Sequence, residues 1–110
     1  MTAIDRANLL AGQAVAYATA YLDGRHEAAW LARNVEQLHL DLFGVGLDAS
    51  TRAILDPVRL LATAMTHTAL TAAGGTDANL PFQNARLERW QSVMAALVEL
   101  VRHESRELSR

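Results

Sequence analysis

Apolar residues recur along this chain with the 3.6-residue period of an α-helix, and no segment alternates apolar and polar positions as a strand would. The pattern predicts a first helix over Ala3–Leu22, with Ile4, Ala7, Ala11, Ala14, Val15, Ala18 and Leu22 on one face. Leu9, Gly12, Ala16 and Ala20 form a second stripe, mostly of small residues. Gly12 costs a helix about 1 kcal/mol relative to alanine, so a close backbone approach is expected there. Asp23-Gly24 ends this helix. A second helix is predicted over Arg25–Leu42, with Ala28, Leu31, Val35, Leu38 and Leu42 inward, Trp30 and Leu40 pointing elsewhere, and Gly44-Val45-Gly46 closing it.

The third segment starts at Asp48 or Ser50, either of which can cap a helix. Pro57 has no amide hydrogen, which predicts a short helix to Leu55 and a restart over Pro57–Ala73. Val58, Leu61, Ala62, Met65, Ala69 and Ala72 form its core stripe, and Leu60, Thr63, His67 and Thr71 lie opposite. Gly74-Gly75 and a loop at Thr76–Leu80 precede a last helix over Pro81–Leu108, whose apolar face is Leu87, Trp90, Met94, Leu97, Val98 and Val101. The expected fold is all-α: a four-helix up-and-down bundle, its third helix broken or kinked near Pro57, forming a single domain over residues 1–110.

Two long stretches change this picture. Ala7–Leu22 carries no charge, and Leu60–Thr76 has His67 as its only titratable group. A helix neutral on all sides is expected to be covered on all sides. A chain of 110 residues has little material for covering two of them, which predicts help from a second chain or a bound ligand. The expected partner is a second copy in a homodimer, with another protein or an apolar small molecule as alternatives. The faces expected to meet it are Leu9, Gly12, Ala16 and Ala20 on the first helix, and Leu60, Thr63, His67 and Thr71 on the third.

Composition adds limits. Cysteine is absent, which excludes disulfides and thiolate metal sites. All ten basic residues are arginine and isoleucine occurs only at Ile4 and Ile54, the codon signature of a GC-rich bacterial genome. A net charge of −2 gives no electrostatic footprint for DNA or RNA. The neutral stretches fall short of the ~20 apolar residues that span a bilayer, and the start lacks a signal-peptide pattern, so a cytoplasmic location without membrane contact is expected.

Candidate chemistry is sparse. Arg33-Asn34 followed by His39 resembles the motif of HEPN-domain ribonucleases, small helical domains that pair two such motifs across a dimer to cleave RNA. The resemblance covers seven residues and implies Arg33 placing a phosphate with His39 near the reacting hydroxyl; otherwise Arg33 is solvated and His39 flanks the core. Asp23-x-x-His26 and Glu36-x-x-His39 have the carboxylate–imidazole spacing of di-iron bundles, but the first helix offers no interior acid to complete such a site. No metal and no cofactor are therefore expected. His67, between Thr63 and Thr71, is a pocket acid–base group or an interface histidine satisfied by a hydroxyl. Tyr17, Tyr21 and Trp30 are aromatics with polar tips, suited to a ligand cavity or to a protein interface.

Three functions follow in order. The first is a non-catalytic helical interaction module that acts by homo-oligomerisation or by binding a protein partner. The second is a small-molecule-binding bundle with an apolar pocket around Tyr17, Tyr21, His67 and the threonine face. The third is a HEPN-type ribonuclease using Arg33 and His39.

Overall fold

Thr2 starts the first helix, α1 (Ala3–Leu22), with a reciprocal cap: its hydroxyl accepts from the Asp5 amide at 3.1 Å and the Asp5 carboxylate accepts from the Thr2 amide at 3.2 Å. α1 closes on Gly24, whose φ of 76° is a conformation glycine adopts without strain. The amides of Gly24 and Arg25 donate back to the carbonyls of Tyr21 and Ala20. That closure explains why α2 (Ala28–Leu42) begins three residues later than the expected Arg25. The Arg25 amide belongs to the end of α1, so Glu27 becomes the first residue of the next cap.

The third helix, α3 (Ala49–Ala73), is capped by Asp48, whose carboxylate accepts from the amide and hydroxyl of Thr51. The Thr51 side chain first, then its backbone, holds the Asp48 carboxyl below the usual aspartate value, and Thr2 does the same for Asp5. Both caps contribute above the ordinary aspartate range and are lost as pH falls through the lowered values. α3 runs unbroken through Pro57 instead of stopping at Leu55 and restarting. An interior proline costs about 3 kcal/mol. Ile54, Leu55, Val58 and Leu61, all buried around it, each contribute roughly 1.5–3 kcal/mol when removed from water. Four such side chains outweigh one proline. The last helix is α4 (Leu80–Leu108).

The structure is a computed structural model that describes residues 2–45, 48–74 and 80–108, with the side chains of Leu80 and residues 106–108 undescribed. Most of the expected Thr76–Leu80 loop, together with Gly46 and Gly75, lies outside the described residues. Among the described residues there is no strand, and the chain is an all-α four-helix bundle. α1 and α3 each touch all three other helices, whereas α2 and α4 do not touch each other. In cross-section the bundle is a rhombus with α1 and α3 on its short diagonal. These two carry the neutral stretches.

Leu31, Val35, Leu61, Met65, Met94 and Val98 form the buried centre as the periodicity predicts. Val15, Leu22, Ala28, Ala72, Leu87, Trp90 and Leu97 of the expected inward stripes are half-buried, and Ile4 and Ala20 differ outright. Ile4 is exposed at the open start of α1, and Leu10 takes the inward position. Leu87 is only half-buried, because α4 has no α2 beside it to complete its cover. Ala20, expected on the open stripe, is buried. A Cβ built on Gly12 meets nothing within 4 Å, so among the described residues no backbone approaches it closely. Gly12→Ala is therefore expected to stabilise the protein by about 0.5–1 kcal/mol in urea denaturation, through helix propensity alone. A loss of stability would mean that something packs on that spot.

Candidate functional site

Along α2, positions 32, 36, 39, 40 and 43 fall on the side turned toward α3, beside the buried stripe of Leu31, Val35, Leu38 and Leu42. Along α3, Thr66, Ala69, Leu70 and Ala73 face them. Alanine at 32, 69 and 73 leaves space between the two helices, and a groove of about 490 Å³ results. That volume lies within the usual range for small-molecule sites, about 300–1,000 Å³. Large apolar side chains stand at its edges in water: Leu40 is 65% exposed, Phe43 88% and Leu70 65%.

The groove holds one polar pair. His39 Nε2 lies 3.0 Å from Thr66 Oγ1, and the Thr66 hydroxyl donates to the Ala62 carbonyl at 3.0 Å. With its single hydrogen committed to Ala62, Thr66 accepts, so His39 donates through Nε2. Thr66 is thereby a poor nucleophile, its hydroxyl already acting as donor and acceptor. Among the described residues, Glu36 is the only formally charged side chain lining the groove.

Of the other expected site residues, five come together in one hollow and the rest are dispersed. The Tyr17 ring meets Trp30 edge-on at 5.8 Å, and His26 stacks on the same indole at 3.8 Å. Tyr17 and Trp30 join Gly12, Ala16, Ala20, Arg25 and Arg102 around a shallow hollow of about 460 Å³ on the outer side of α1. Leu9 is exposed near the start of that helix. The Tyr21 hydroxyl accepts from Gln91 at 3.0 Å and ties α1 to α4. His67 is exposed and stacks on Trp90 at 4.5 Å, with its ring plane 7° from parallel. Leu60 and Thr63 are exposed beside it, Thr63 bonding back to the Arg59 carbonyl, and Thr71 is half-buried. Tyr17, Tyr21 and His67 do not share a cavity: they meet α2, α4 and α4 respectively, from two different helices.

Arg33 and His39 are also separated. Arg33 lines a polar hollow with Gly24, Arg25, His26, Glu27 and Trp30, while His39 lines the α2/α3 groove. Six residues turn a helix by about 600°, which leaves the two side chains about 120° apart. Among the described residues, no three His, Asp or Glu side chains are placed to hold a metal ion, and no helix is long and apolar enough to cross a membrane.

Phe43, Thr66 and Leu70 were not candidates from sequence, and Glu36 entered only through its di-iron spacing to His39. Leu70 sits in the neutral stretch of α3 and Phe43 immediately before a turn glycine, so an unpaired large apolar residue was visible at each. Their convergence was not, because it depends on how α2 and α3 align. No known protein family, characterised protein or solved structure matches the chain.

Proposed function

We propose that the protein is a non-catalytic helical module that works by self-association, through the face centred on the outer side of α3. The observation that carries this reading is where the large exposed apolar side chains fall. Among the described residues, Leu40, Phe43, Leu60, Leu70, Phe82, Val93 and Leu100 are on α2, α3, α4 or the α2 end, and only Ile4 and Leu9 are on α1. Trp90 of α4 faces His67 of α3, and Gln91 faces Tyr21 of α1. Arg86 and Val93, four positions before and three after Trp90, therefore share its side of α4. Phe82 and Leu100 continue that stripe. Seven large apolar side chains exposed on three neighbouring helices are more than the single scattered ones usual on a protein that stays alone in water.

Light scattering at micromolar concentration tests this. Wild type is expected at a multiple of its 12.0 kDa monomer mass. Leu70→Arg, which places a charge in the middle of the face, is expected to return it to the monomer. Ala16→Arg, on the opposite side of the bundle, is expected to leave the assembly intact. A monomeric wild type, or an assembly broken by Ala16→Arg alone, would overturn the reading.

The largely apolar lining of the α2/α3 groove and its His39–Thr66 pair support a second reading, a small-molecule site. An apolar fluorescent probe that binds one per chain and loses affinity in Leu70→Arg, with wild type monomeric throughout, would favour it.

A further inference from the structure

We draw no further inference here: the strongest candidate, the hollow between α1 and α4 beside Gly12, rests on a strip of small side chains in which Arg102 already pairs with Glu99 and the Asn8 side-chain oxygen is closed off from the open space, so nothing among the described residues points to a ligand there.

Discussion

Replacing Leu61 or Met94 with alanine is expected to lower the free energy of unfolding by about 2–5 kcal/mol, measured by urea or thermal denaturation. Both side chains are fully buried, Leu61 on α3 and Met94 on the facing helix α4. The loss has two parts: the transfer energy of the removed methylenes or thioether, and a cavity the surrounding helices only partly refill. Collapse is restricted here because α3 is held by three neighbours at once. Met94 is less constrained on the side where α4 lacks an α2 contact, so it is expected toward the lower end of the range. Leu60→Ala is the control. Leu60 stands next to Leu61 in sequence but is more than half exposed, and its removal is expected to change stability by less than about 0.5 kcal/mol. Losses below that level at both Leu61 and Met94 would mean that the helix faces are misassigned.

Ala14→Leu is expected to destabilise by about 1–3 kcal/mol despite adding apolar surface. The buried stripe of α1 is Ala7, Leu10, Ala11, Ala14 and Ala18, four of five positions being alanine. Alanine there lets α1 approach α3 across the short diagonal of the rhombus. A leucine at Ala14, itself fully buried, must push the two helices apart or adopt a strained rotamer. The change is read in the same denaturation experiment. An increase in stability would show that α1 and α3 leave unfilled space between them, contrary to the close diagonal.

The helices and their ends were legible because their causes are local. Period, caps and turn glycines act within a few residues, so α1 ends where Asp23-Gly24 says, and the buried stripes of α2 and α3 fall where the spacing places them. Pro57 shows the limit of local reasoning. Its missing hydrogen bond is a local cost, while Ile54, Leu55, Val58 and Leu61 gain from burial against other helices, and the helix continues. The site was less legible. Leu9, Gly12 and Ala16 lie exposed on the outer side of α1, and Leu60, Thr63 and His67 on that of α3, yet the open groove is framed by Leu40, Phe43 and Leu70. Helical spacing places a side chain on a face of its own helix; it does not say which neighbouring helix stands beside that face.

By itself, the sequence determined that this chain is all-helical, that four main helices form with turns at Asp23-Gly24 and Gly44, and that the first and third carry long uncharged stretches. Only the tertiary structure decided what covers them. α1 and α3 take the short diagonal, each touching three helices, so much of the cover comes from within the chain. What stays open is one outward strip of each, and the α3 strip is widened by apolar side chains from α2 and α4. The physical reason is that amphipathicity belongs to a single helix, whereas the choice of diagonal depends on side-chain volumes summed across all four. The alanines that bring α1 and α3 together carry no long-range signal when read along the chain.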